Sequence, residues 1–229
     1  MKLSVVIPTL NEEANIGGLV HWLRNDNSGL IAEILVVDGG STDATVRRAR
    51  FAGAQVLQSP QRGRAHQLHL GAQLAKGHIL YFLHADSLPP TDFARTVVQA
   101  VEQGSAAGAF RLAFDSPQRM MRLYGWFSRM RWRIARGGDA SLFVTQELYQ
   151  RIGGFNTRLP VMEDIDIVQR LGRQTRFCIL PQTVTTSARR YHRKGVLRLQ
   201  LLFGMMHLGY WLGISPGRLG GFYRKFIEL

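Results

Sequence analysis

Apolar residues in the first hundred positions follow two rhythms. Short solid runs, "LSVVIPT", "EILVVD", "AQVLQ" and "HILYFLHAD", alternate with longer stretches in which apolar residues recur every three or four positions. Solid runs suit strands buried on both faces, and the three-to-four spacing suits helices with one buried side. The helices predicted between the runs start at Asn11, Glu12 and Glu13 and reach about Arg24. They continue through "ATVRRARFA", opened by Ser41, Thr42 and Asp43 and stopped by Gly53, and through "GRAHQLHLGAQLAKG", with Ala65, Leu68, Ala72 and Ala75 on one face. The last spans about Thr91 to Gln103, behind Pro89 and Pro90. Polar caps, prolines at the starts and glycines past the ends mark these boundaries. The pattern predicts an α/β fold: a largely parallel, Rossmann-like sheet with right-handed crossovers and helices on both faces.

The second half is less regular. "AAGAFRLAF" and "ASLFV" read as strands and "PQRMMRLYGWFSRMRWRIAR" as a basic amphipathic helix. "TQELYQRIGGF" and "DIDIVQRLGR" read as helices, and "RFCIL" and "TVTT" as two brief strands. The tail from about Arg193 to Ile214 is predicted to be helical, with a short helix after Ser215 and Pro216; its Leu201–Ile214 stretch is expected to bury its apolar side on the domain, the alternative being to lie at a membrane beside the arginine-rich helix. No repeat or linker appears, so one domain is expected over 1–229, with two functional halves, 1–115 and a basic 116–229 that ends in helices.

Composition narrows the class. Cys178 is the single cysteine, which excludes an intrachain disulfide and a cysteine-built metal site and suits a reducing compartment. The apolar run that Pro8 ends is too short for a signal peptide, and Leu201–Ile214 falls short of the roughly 20 residues of a spanning helix, so a cytoplasmic protein is expected. The net charge of +13 is uneven: residues 1–115 hold ten Lys/Arg and ten Asp/Glu, residues 116–229 nineteen and six. A basic half of this kind can face nucleic acid, anionic lipid or a phosphorylated substrate.

Ligands of such sheets gather at the carboxyl ends of the strands. Asp38, Asp86 and Asn11 all fall there. Asp38 ends its strand before a glycine turn and is expected to cap nothing, which leaves it to accept from a base imide while Gly39 and Gly40 admit a ligand close to the backbone. Asp86 can hold a divalent ion bound with a diphosphate, since phosphates and water supply the other ligands. His84, two residues earlier on a strand, would point the same way as Asp86; a phosphate contact, a supporting donor and a core position all fit it. "MEDID" places Glu163, Asp164 and Asp166 at a helix start; the first two can line a pocket, where a carboxylate serves as general base, and Asp166 is expected in solvent or a salt bridge.

The order strand–"PTLNEE", strand–"VVDGGSTD", "GRAHQLHLGA", strand–"HAD", then "GGDASLFV", "IGGF" and "MEDID" resembles the family 2 glycosyltransferases of GT-A fold, over residues 1 to about 190. The resemblance implies metal-dependent, inverting transfer of a sugar from a nucleotide donor, a UDP-sugar, with Mg²⁺ or Mn²⁺, to a hydroxyl acceptor. It places Pro8, Thr9, Asn11 and Glu12 in the donor loop, Asp38 on uracil, Arg64 near the donor phosphates and Asp86 as the last acid of the Asp-X-Asp metal motif. His84, with Ala85 between, stands where that motif has its first acid. Asp164 matches the catalytic base. "TTSARRYHRKGVL", with "LPVMEDID" and "PGRLGGFY", looks like the small soluble branch associated with arsenosugar biosynthesis, which puts Arg189 and Arg190 near the diphosphate. Gly138 and Asp139, with Glu163, match acceptor-side positions.

Arginines interleaved with aromatics at 117–136 suit an interfacial helix on an anionic membrane, or one that packs on the domain. Three rivals remain beside the transferase: a nucleic-acid-binding protein, a nucleotidyltransferase of related fold, and a peripheral membrane module without catalysis. The first is disfavoured by acids at the strand ends, so no nucleic-acid partner is expected. The second is disfavoured because "PTLNEE" stands where a glycine- and arginine-rich phosphate loop would be.

Overall fold

The computed structural model describes residues 1–116 and 141–228, so the arginine-rich helix expected at 117–136, together with Gly138 and Asp139, lies outside the described residues. One sheet of eight strands organises the rest, in the order β3-β2-β1-β4-β7-β6-β8-β5. Its first half is β1 (Leu3–Thr9), β2 (Ile31–Asp38), β3 (Gln55–Gln58) and β4 (Ile79–Phe82), all parallel, alternating with α1 (Glu13–Arg24), α2 (Thr45–Phe51) and α3 (Arg64–Leu74). After the two-residue β5 (Ser87–Leu88) come α4 (Phe93–Glu102), β6 (Ala107–Phe114), β7 (Leu142–Thr145), α5 (Gln146–Arg151), α6 (Glu163–Gln174) and β8 (Cys178–Thr186). β7 runs antiparallel to β4 and β6, whereas β8 runs parallel to β6, so the sheet is mixed.

Both faces of the sheet are buried, which is why its strands are solidly apolar. Leu3, Val5 and Ile7 of β1 pack with Ile16, Leu19 and Val20 of α1 and Val97 of α4. Val6, on the opposite side of the pleat, packs with Leu68 and Ala72 of α3 and Leu171 of α6. Pro8 is tolerated in this central strand because even-numbered positions of β1 bond toward β4, and β4 pairs only as far as Val6.

Gly71 sets how closely α3 lies on the sheet: a Cβ there would sit 2.4 Å from Val6 Cγ1 and 3.0 Å from Val37 Cγ2. An exposed helical glycine gains about 1 kcal/mol on becoming alanine, but overpacking a core costs about 1–3 kcal/mol. Gly71→Ala is therefore expected to lower stability, by on the order of 1 kcal/mol. The midpoint of urea unfolding reads this directly.

Several expected boundaries move. "RFCIL" and "TVTT" form one strand, β8, in which Pro181 falls at a register shift against β6, a bulge where its missing N–H breaks no ladder. The expected tail helix and the short helix after Pro216 are both present, with the start of the first moved to Val196. Gly195, at φ +80°, separates α7 (Arg189–Lys194) from α8 (Val196–Trp211), and α9 (Pro216–Tyr223) follows, ending in a π turn (Arg224–Glu228). These helices pack on the start of α6 through Val161, Met162 and Ile165. No helix of the described residues is long and apolar enough to cross a membrane.

Candidate active site

The loops after β1 and β2 form the first wall. Thr9 and Asp38 are register partners at the strand ends. Asp38 is buried, and its Oδ2 accepts the N–H groups of Gly40 and Ser41, both at 2.9 Å, while Oδ1 accepts the Ser41 hydroxyl and, at 3.4 Å, that of Thr9. Asp38 thus caps its own turn, contrary to the sequence expectation, because the chain reverses so tightly at Gly40 (φ +95°) that the carboxylate reaches the next two amides.

Asn11 also departs from expectation. It sits in the left-handed region at φ 54° and does not cap α1; its Oδ1 accepts the Thr42 N–H at 2.9 Å and its own N–H donates to Ser41 Oγ at 2.9 Å. Glu12 N–H donates to Thr45 Oγ1 at 2.7 Å. The two loops are laced into one unit.

Gln67 of α3 is a site residue that sequence reading missed. Its buried amide donates to Thr9 O at 2.8 Å and Val37 O at 2.7 Å, satisfying carbonyls where the strands end. It also explains Gly39, whose Cβ would come within 3.0 Å of Gln67 Nε2. The signal was present: Gln67 stands four residues before Gly71 and beside Leu68, on the face of α3 that meets the sheet. The buried amide is thereby satisfied, sharing Thr9 O with the Gly39 N–H, which donates to it at 2.9 Å.

At the carboxyl end of β4, the strand stops at Phe82, so His84 and Asp86 are not on it as expected. They lie in a turn closed by Ser87 N–H to His84 O at 3.1 Å. Turn chemistry prevails over the apolar run because β5 begins at once and pairs antiparallel with β8. Asp86 O accepts the Ser187 N–H at 3.1 Å, which ties this turn to the start of α7. Arg189, at that start, is ion-paired with Glu12 and lies 3.3 Å from Asp86 Oδ2, so one guanidinium bridges loops 74 residues apart in sequence. The hydrogen bond to Glu12 raises the Arg189 pKa against partial burial, with Asp86 adding to it. Arg190 turns away, 3.4 Å from the Tyr223 hydroxyl of α9.

A second cluster stands at the start of α6. Met162, at φ 67°, takes a left-handed turn that costs on the order of 1–3 kcal/mol for a non-glycine residue. That turn delivers Glu163 and Asp164 at the positive end of the helix dipole. Glu163, 2% exposed, is ion-paired with Arg64 Nε from the first turn of α3. Burial works to lower the Arg64 pKa, but Glu163 and Asp164 outweigh it and hold the guanidinium protonated. Asp166 pairs with Arg170 at 2.6 Å, the salt bridge expected of it. Arg64, His84, Ser141, Glu163 and Asp164 line one pocket over an apolar floor that includes Phe82 and Ile167. His84 lines the Asp164 pocket and shares its turn with Asp86, which meets Arg189.

Among the described residues no three His, Cys, Asp or Glu side chains gather as a metal cage. A lone carboxylate, Asp86, beside a cation that pairs with anions fits a divalent ion held jointly with a diphosphate, which brings its own oxygens.

Comparison with known proteins identifies the fold and the family. A mannosyltransferase of Pyrobaculum calidifontis, solved with GDP-Man and Mn²⁺, superposes with a TM-score of 0.70 over 93% of this chain and 65% of that one, at 21% identity. Glucosyl-3-phosphoglycerate synthase of Mycobacterium tuberculosis, solved with Mg²⁺ and UDP, superposes with a TM-score of 0.57 over 81% of this chain and 69% of that one, at 23% identity. The fold is GT-A. In sequence, the glucosyl-3-phosphoglycerate synthase of Mycolicibacterium smegmatis is 36% identical over 96 residues, 38% of this chain but only 32% of the relative's length. The glycosyl transferase family 2 profile matches residues 4–159, which takes in the laced loops, α3 and the turn of Asp86. With more than half its length inside that match, the chain belongs to glycosyl transferase family 2.

Proposed function

We propose that this chain transfers a sugar from a nucleoside diphosphate donor, a UDP-sugar, to a hydroxyl acceptor with inversion at the anomeric carbon. The observation that carries this reading is the bridge of Arg189 to Glu12 and Asp86, adjoining through His84 the pocket of Arg64 and Asp164.

In this reading the nucleoside lies on the loops of Pro8, Thr9, Asn11, Glu12, Asp38 and Gly39. Asp38 shapes its loop, and a base imide would take the place of its longest hydrogen bond, the 3.4 Å one from Thr9. The diphosphate meets His84, Ala85 and Asp86, with Arg189 as its cationic partner. Asp86 would hold a Mg²⁺ or Mn²⁺ ion, which would supply positive charge for the departing diphosphate. Arg64, held by Glu163, faces the phosphate side of the pocket. Asp164 takes the proton of the acceptor hydroxyl as that oxygen attacks the anomeric carbon opposite the leaving oxygen. Gly138 and Asp139, outside the described residues, are assigned to the acceptor by the sequence resemblance alone.

Thermal unfolding in Mn²⁺ with UDP, GDP and their sugar conjugates tests the donor class. A ligand at a hundred times its Kd adds about 2.7 kcal/mol to the folded state. A rise in Tm with uridine nucleotides and none with free uridine supports the reading, since the diphosphate is what Arg189 and Asp86 address. An equal rise with uridine alone would contradict it.

A further inference from the structure

We propose that α8 is an interfacial helix that lays the protein on an anionic phospholipid bilayer. Its inner face carries Leu199 and Met206 into the cluster that seats the C-terminal helices on α6. The sequence expectation was that the whole apolar side would be buried this way. Instead Leu197, Leu201, Met205, Leu208, Trp211 and Leu212 are between 51% and 72% exposed. At about 100° per residue, all six fall within an arc of about 120°, joined there by Gly204 and by no polar residue. A helix apolar on both sides is ordinarily buried on both, so the outward face of α8 asks for a cover.

Charge chooses the cover. From Ser187 to Ile227 the chain holds eight Lys/Arg and no Asp/Glu. Arg198 borders the apolar arc, and Arg193, Arg218 and Arg224 are exposed on the neighbouring elements. A second copy docked face to face would bring two such sets of like charges together. The segment 117–140, with six arginines and one aspartate, would add positive charge rather than neutralise it. An anionic bilayer accepts both properties at once: the leucines and Trp211 enter at the headgroup boundary and the arginines meet lipid phosphates. At 16 residues, about 24 Å, α8 is too short to span a hydrocarbon core of about 30 Å, so it lies in the plane.

The test is flotation of the full chain with vesicles of phosphatidylcholine alone and of phosphatidylcholine mixed with phosphatidylglycerol. The wild type is expected to float with the mixed vesicles and to be released as salt rises. Leu201→Gln with Leu208→Gln and Leu212→Gln is expected to bind them more weakly, on the order of tenfold for each leucine that enters the interface. Arg198→Gln with Arg218→Gln should weaken the preference for the mixed vesicles. Unfolding midpoints equal to wild type show that the variants are folded. Three results would overturn the proposal: no flotation of the wild type, flotation unchanged by the leucine replacements, or a dimer in solution that those replacements dissociate.

Discussion

Replacing Asp164 with Asn is expected to abolish sugar transfer while leaving donor binding intact. Asparagine keeps the shape of the side chain and its place beside Arg64, but it cannot accept a proton. Loss of a general base costs about 10²- to 10⁴-fold in rate, or about 3–5 kcal/mol of barrier. The fold should tolerate the change, because the carboxylate that holds Arg64 by a direct hydrogen bond belongs to Glu163, the buried neighbour. Turnover and the Kd for the nucleotide, measured on one preparation, separate the two effects. A parallel loss of both would assign Asp164 to donor binding instead of proton transfer.

Asp86→Asn should act with opposite sign in the presence and absence of metal. In Mn²⁺, nucleoside diphosphate affinity is expected to fall at least about tenfold, about 1.4 kcal/mol, because the one carboxylate placed to share the ion is gone. Without metal the same substitution removes a negative charge next to Arg189 and the incoming phosphates, so affinity should stay level or rise. Isothermal titration of UDP into both proteins, with Mn²⁺ and with chelator, gives the four values. A drop of equal size under both conditions would mean that Asp86 serves only to position Arg189.

The sheet and its helices were legible because β1, β2 and β4 are buried on both faces and each crossover helix on one. Where the pattern misled, a local bond or a tertiary contact prevailed over periodicity. The apolar run through Leu83 suggested a strand that carried His84 and Asp86, yet pairing of Ser87 with Thr186 on β8 bends the chain before them. The two brief strands expected at "RFCIL" and "TVTT" are one, because a bulge absorbs Pro181 between them. Gly195 moved the start of the tail helix to Val196 because its φ of +80° is outside helical backbone. At the site, the separate acids were visible as residues, but their partners were not. Nothing in the local sequence around Glu12 points to Arg189, 177 positions away, and nothing around Arg64 points to Glu163. Asp38 shows the converse: its capping bonds to Gly40 and Ser41 are as local as bonds can be, and attention to ligand chemistry hid them.

Diffraction from crystals soaked with UDP and Mn²⁺ tests the central claim most directly, namely that one donor spans loops delivered by separate strands. The account predicts uracil beside Asp38 and Thr9, the diphosphate and metal between Asp86 and Arg189, and an open path from the β-phosphate to the pocket of Arg64 and Asp164. Nucleotide bound away from Asp86, for instance on the basic surface of His21, Arg47 and Arg48, would contradict it.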